Sequence, residues 1–340
     1  MARLIVLFLL SLVTITMAIS SSFHASQKRG LIYIPNSDFP EDDEIWVKKG
    51  SDLTWYYNYK MYPSSRYEND TALQFVPMLW GAPSSFKDTT FLENVTSQIV
   101  QGQNITHVMA FNEPDNTGET GGSNITPDDA AVYWAKQIEP LRKLGVAVGA
   151  PAVTGGYSGA AWLANFTTAC NGNCTFDFIP IHWYGSFDGL SSHLGDVSAV
   201  YPGIDLWVTE FALNDATLNE TEQFFQTAVS YMDQHENVTF YSYFGSFRSF
   251  TSNVGINVAM LNSYGKLTDI GSWYIGGNST GVKPDNVTVT PSHATATATS
   301  TATYTIPPLA TNLLSAAHLS SRPSLALSLG LLALQFQVMA

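Results

Sequence analysis

Glu113 and Glu210 each close an apolar run, in Phe111-Asn112-Glu113-Pro114 and in Trp207-Val208-Thr209-Glu210. Two carboxyls brought to one bond can divide the work of glycosidic cleavage. One protonates the leaving oxygen, and the other attacks the sugar carbon or activates water. Glu113 suits the acid/base part, because the amide of Asn112 beside it can bind a sugar hydroxyl next to the reacting carbon. Glu210, between Thr209 and Phe211, suits the nucleophile. His182 ends another apolar run and is expected to orient Glu210 or the substrate. Trp183 and Tyr184 follow it, Trp80 and Phe244 end further runs, Phe247 lies just beyond, and Tyr33 closes the first run. These aromatic faces can stack on pyranose rings. Asp115 reads as a solvated loop charge. No His or Cys cluster accompanies Cys170 and Cys174, so neither a metal nor a cofactor is expected.

For residues so far apart in sequence to act together, the elements between them must bring them to one place. Short β-branched or aromatic runs recur at 31–34, 53–57, 75–79, 107–111, 146–151, 178–182, 206–210 and 238–244. Near-continuous apolar runs of this length predict strands buried on both faces, as in a parallel sheet. Helical patterns fall between most of them. One runs from Pro127 to Leu144, with Pro early, acids in the first turn, and Arg142 and Lys143 before Gly145. Others run from Asn219 to Asn237, Phe91 to Val100 and Ala160 to Ala169, while 58–74 reads as loop. Strand and helix alternating over residues 28–276 predict an α/β chain folded as one (β/α)8 TIM barrel. A doubly wound open sheet is the rival, and it lacks a Gly-rich phosphate loop after the first run, where Tyr33-Ile34-Pro35-Asn36 stands. Glu113 then ends strand four and Glu210 strand seven, both at the mouth where such barrels build active sites.

Charge and chain ends bear on compartment. A hydrophobic content of 45% with only 13% charged residues predicts a large core, and a net charge of −13 with pI near 4.8 argues against nucleic acid or an anionic membrane as partner. Residues 1–20 read as a signal peptide, with Arg3 ahead of the apolar run 4–18 and small residues at Ala18 and Ser20. Residues 277–314 read as a disordered Ser/Thr/Pro-rich stalk. In 315–340, small residues, a polar spacer and an apolar tail follow one another as in a GPI-anchor signal, with Ser315 the expected attachment site. A short transmembrane tail is the alternative. Sequons at Asn69, Asn94, Asn104, Asn124, Asn165, Asn173, Asn219, Asn237, Asn278 and Asn286 fit export. In that compartment Cys170 and Cys174 are expected to close a small loop, two free thiols being the other possibility.

Seven ordered blocks carry a family resemblance: Lys28-Arg29-Gly30-Leu31, Trp55-Tyr56-Tyr57-Asn58, Phe75 to Gly81, Phe111 to Asp115, His182-Trp183-Tyr184, Trp207 to Phe211 and Tyr243-Phe244-Gly245. The chain resembles glycoside hydrolase family 128, whose fungal members include the alkali-sensitive linkage protein-like wall proteins, over roughly 28–276. The resemblance implies a retaining glucanase acting on β-1,3-glucan of the fungal wall. It matches the acid/base to Glu113 and the nucleophile to Glu210. Endo action, no cofactor, and a monomer held to the membrane through its GPI lipid alone are the further expectations. It also implies that a wall protein binding β-1,3-glucan without hydrolysis is an alternative, and a glucan transglycosylase, with a sugar hydroxyl replacing water at the same site, is a variant of the enzyme reading. Tyr59 stands where the family pattern leads one to expect tryptophan, which predicts one lost stacking contact.

Overall fold

The computed structural model describes residues 26–68, 70 and 72–291. The expected leader (1–20), the Asn69 sequon, the stalk beyond residue 291, Ser315 and the anchor segment (315–340) lie outside the described residues.

Nine parallel strands form the sheet: β1 (Arg29–Ile32), β2 (Trp55–Tyr57), β3 (Gln74–Phe75), β4 (Met78–Leu79), β5 (His107–Asn112), β6 (Ala147–Ala152), β7 (Phe178–Tyr184), β8 (Asp205–Ala212) and β9 (Val238–Tyr243). Their order is β3-β2-β1-β9-β8-β7-β6-β5-β4. Because β3 and β4 are the two halves of the third apolar run, this order closes on itself, and the chain is a (β/α)8 barrel of eight staves. Pro77 explains the division. It has no N–H for the ladder, yet its carbonyl accepts from Met109 N, while Val76 N and Met78 N on either side donate to Tyr56 and Lys60 carbonyls.

The helices are α1 (Asp43–Trp46), α2 (Thr90–Val100), α3 (Pro127–Gln137), α4 (Tyr157–Cys170), α5 (Phe187–Val200), α6 (Leu218–Gln234) and α7 (Asp269–Tyr274). Among the described residues no helix joins β2 to β3, as the loop-like composition of 58–74 leads one to expect. The helix expected over 127–144 stops at Gln137 and continues as 3-10 turns over Glu139–Leu144. Pro140 is the reason: its ring excludes an α-helical hydrogen bond and biases Glu139 away from the α region. Helix α6 opens with a capping box, Thr217 and Glu220 satisfying each other's backbone N–H. Helix α5 was not foreseen, because its Gly- and Ser-rich sequence has low helical propensity. Its Ser186 cap and the buried pair Leu190 and Leu194 hold it to the barrel.

The N-terminal end of the barrel is plugged by rings. Trp207 packs on Phe178, His107 and Trp55 with centroids 4.1, 4.9 and 5.1 Å away. These residues stand at or near strand starts, so chemistry is confined to the opposite end. Outside the sheet, fully buried Arg29 donates to Asp52 at 2.8 Å, to Tyr241 at 3.0 Å and to the carbonyls of Trp273 and Tyr274 at 3.1 Å, tying α7 to β1. Cys170 and Cys174 are joined at the end of α4, with Cα atoms 5.4 Å apart. The chain beyond Gly276 stays docked for some way: Ser249 Oγ donates to the Asp285 carbonyl at 2.6 Å and Ser272 Oγ to that of Asn278 at 2.6 Å. No helix among the described residues is long and apolar enough to cross a membrane.

Candidate active site

The tips of β5, β7 and β8 converge on three buried side chains. Glu113 follows β5 directly, and its backbone N–H donates to the Ala152 carbonyl at 2.7 Å, fixing it to the end of β6. The β7–β8 register slips between Ile181 and His182, so His182 pairs opposite Glu210. A bulge of this kind re-aims a side chain at a strand end. His182 Nδ1 lies 2.9 Å from Glu113 Oε1 and 3.5 Å from Glu210 Oε2. Nδ1 is hydrogen-bonded to Glu113, and Glu210 stands at ion-pair distance from the same nitrogen. One oxygen of Glu113 and one of Glu210 lie within 4.8 Å of each other and of the imidazole nitrogen.

Glu210 is held on its other side by two phenols. Tyr59 donates to its Oε1 at 2.8 Å and Tyr184 to its Oε2 at 2.7 Å. Burial pushes the Glu210 carboxyl above the ordinary carboxylate range and the charge of Glu113 adds to the rise, while His182 and the two phenols oppose it. For His182, burial disfavours the cation, but the carboxylates of Glu210 and Glu113 outweigh it and raise the imidazole above its ordinary value. Burial and the Glu210 charge hold the Tyr59 and Tyr184 phenols well above theirs, so both remain donors.

The backbone here is strained. Phe111, Glu113 and Tyr59 adopt φ of 47°, 40° and 58°, left-handed values rare for bulky residues. The loop after β5 supplies the restraint. Asp115 accepts from Thr154 N at 2.9 Å, from Thr154 Oγ1 and from Ser158 Oγ at 3.4 Å. Asn116 donates to Glu113 Oε2 at 3.4 Å and accepts from Thr120 at 2.6 Å. Gly122 passes so close beneath that a Cβ would sit 2.3 Å from the Asn116 carbonyl, which leaves room for no other residue. Asp115 is therefore a clamp joining the loops after β5 and β6, not the solvated charge its sequence setting suggests.

The expected site residues separate into two groups. Asn112 is at the mouth, its Nδ2 donating to the Gly121 carbonyl at 3.1 Å while its buried Oδ1 finds no partner among the described residues. That leaves an acceptor beside Glu113 for a hydroxyl. Phe244 meets Tyr184, the donor to Glu210, edge-on at 5.5 Å, and Phe247 packs edge-on against Phe244 at 5.5 Å. Half-buried Trp80 lies at the tip of β4, where its carbonyl accepts from Asn112 N at 2.8 Å. Trp183 and Tyr33 are not brought to the acids. Strand alternation sends Trp183 to the side opposite His182 and Tyr184, where it stacks on His193 of α5 at 5.4 Å. Tyr33 donates to Asp43 at 2.8 Å and packs edge-on against Tyr67 at 4.9 Å. Sequence reasoning missed Tyr59 as a partner of Glu210, treating it only as a lost stacking ring. It also read Tyr184 as a platform, whereas its hydroxyl holds Glu210.

An expected result follows for Tyr59→Phe. Its hydroxyl favours the ionised form of Glu210, so removing it moves the acid limb of the kcat/KM profile to higher pH and lowers kcat by about tenfold, near the strength of a hydrogen bond to a charged group. A pH–rate profile of the variant checks this, and an unmoved acid limb would show that the phenol does not act on Glu210.

Two carboxylates and an imidazole nitrogen within 4.8 Å are also a donor set a divalent cation can use, and among the described residues this is the one such group. Here each donor is already engaged with another member of the site or with Tyr59, Tyr184 or Asn116.

The profile of a family described as glycosyl hydrolase catalytic core matches residues 30–274. Alkali-sensitive linkage protein 1 of Schizosaccharomyces pombe is 33% identical over 265 residues, which is 74% of this chain and 44% of that protein, so the chain spans less than half of that relative's length. Among solved structures, the barrel is similar to a subgroup IV endo-β-1,3-glucanase of glycoside hydrolase family 128 from Lentinula edodes, at 27% identity and TM-score 0.60, covering 73% of this chain and 98% of the other. It is also similar to a subgroup III curdlan-specific exo-β-1,3-glucanase of that family from Blastomyces gilchristii, solved with glucose, at 26% identity and TM-score 0.58, covering 74% and 99%.

Proposed function

Because the chain belongs to the glycosyl hydrolase catalytic core family, and within it to glycoside hydrolase family 128, we propose that it cleaves β-1,3-glucan with retention, Glu210 as nucleophile and Glu113 as acid/base. One observation carries this reading above the others. One oxygen of each acid lies within 4.8 Å of the other, an approach that supports the roughly 5–5.5 Å carboxyl separation of retaining pairs over the roughly 6.5–9.5 Å that leaves room for a water in inverting ones.

In the first step a Glu210 oxygen attacks the anomeric carbon as its bond to the glycosidic oxygen breaks, and that oxygen takes the proton of Glu113. The negative charge of Glu210 is consumed in the ester, which removes the repulsion a second carboxylate would meet at Glu113. In the second step Glu113 accepts a proton from water, whose oxygen displaces Glu210 from carbon. His182, hydrogen-bonded to Glu113 and at ion-pair distance from Glu210, and the phenols of Tyr59 and Tyr184 offset the negative charge in this buried site. The Asn112 oxygen receives the hydroxyl beside the reacting carbon.

Phe244 packs on Tyr184, the partner of Glu210, and the Trp80 backbone is bonded to Asn112, next to Glu113, so aromatic residues stand near each acid. A glucan running past both favours endo cleavage, although the solved relatives include both endo and exo enzymes. The leader-like start, Ser/Thr-rich stretch, Ser315 and apolar tail support export and a GPI anchor at the cell surface, where wall glucan is the neighbouring polymer. Digestion of a β-1,3-linked hexasaccharide with product sizing tests the reading. Internal products are expected. Binding without any product would leave a glucan-binding wall protein, and products longer than the substrate would make it a transglycosylase.

A further inference from the structure

Tyr157 is 90% exposed, the most exposed of the chain's large hydrophobic residues in the described region. It opens α4 directly after the β6 tip, so it stands on the same end of the barrel as the two acids. The turn that presents it is fixed from two sides. On one side Thr154 N, Thr154 Oγ1 and Ser158 Oγ all donate to Asp115, two residues after Glu113. On the other, Gly155 passes so near β7 that a Cβ would lie 2.5 Å from the His182 carbonyl. A flexible loop holding a stray ring would need neither restraint. Here the backbone turn that presents an exposed aromatic is held to both the acid/base loop and the strand carrying His182.

The side of the bond follows from the chemistry. The acid/base touches the glycosidic oxygen, and the leaving sugar begins at that oxygen, so the loops that flank Glu113 flank the leaving group. We propose that the turn between β6 and α4 forms a leaving-group subsite in which the Tyr157 ring is the platform for a glucosyl unit of β-1,3-glucan. The proposal rests on the glucanase reading above for the identity of the sugar. A pyranose face laid on this ring exchanges water on both surfaces for contact, and the Asp115 clamp means that little ordering remains to be done on binding. Asp115 is thereby a positioning residue, setting the distance between platform and acid.

The test uses the full chain carrying Glu210→Gln, so that substrate is bound and not consumed, and titrates a β-1,3-linked hexasaccharide by calorimetry. Adding Tyr157→Ala is expected to weaken binding by about tenfold, while Tyr157→Phe, which keeps the ring, stays within about twofold. Matching thermal midpoints of the three proteins show that the fold is retained, since the ring lies in solvent. Unchanged affinity in Tyr157→Ala overturns the subsite, as does a loss in Tyr157→Phe equal to that in Tyr157→Ala. Neither outcome depends on turnover, so loss of the subsite leaves the enzyme reading standing, and a protein that binds glucan without cleaving it still reports on the subsite.

Discussion

Replacing Glu210 by Gln is expected to lower the release of reducing ends from soluble β-1,3-glucan by about 10⁴-fold or more while changing the dissociation constant less than tenfold. The amide is nearly isosteric with the carboxylate, and the phenols of Tyr59 and Tyr184 can still meet it, since a hydroxyl accepts as well as donates. What is lost is the nucleophilic oxygen. The buried like charge facing Glu113 also disappears, so the fold should not weaken. Reducing-end assays together with calorimetry on one protein preparation separate the two effects. A variant that keeps its rate would remove Glu210 from the mechanism, and one that loses binding in step with rate would make it a substrate anchor.

Replacing Glu113 by Gln should show a loss that depends on the leaving group. With a glucan, whose leaving oxygen needs a proton, the rate should fall about 10²–10⁴-fold, the usual contribution of a positioned acid. With a dinitrophenyl β-glucoside, whose leaving group departs without protonation, formation of the covalent intermediate should persist and its hydrolysis become slow, because no base activates water. Azide, which attacks without losing a proton, should then restore turnover and yield the β-glycosyl azide. Equal losses on both substrates, with no response to azide, would mean that Glu113 is not the acid/base.

The barrel was legible because its staves are written as apolar runs and its helices carry caps and breaks of ordinary kinds. Even the split third stave is visible once Pro77 is seen to lack a ladder donor. The two acids were legible for the same reason, as charges at the ends of strands that otherwise bury everything. The groups around them were not. Tyr59 reaches Glu210 from a loop 151 residues away, through a left-handed backbone that no local pattern announces. The different roles of Trp183 and Tyr184 turn on which face of β7 looks inward. Alternation from His182 carries that information, but only once His182 is known to point at the acids. Asp115 resembles any loop acid until Thr154 and Ser158 arrive from the next βα connection. Strand identity is a local property of the chain, whereas the second layer of a site is set by which loops meet.

The stereochemistry of the first product tests the central claim most directly. Proton NMR of a β-1,3-linked oligosaccharide during the first minutes of digestion by the full chain should show the β-anomer of the new reducing end appearing first, with the α-anomer following by mutarotation. The α-anomer appearing first would mean single displacement and would contradict the assignment of Glu210 as nucleophile, and a spectrum without any new anomeric signal would contradict hydrolysis itself.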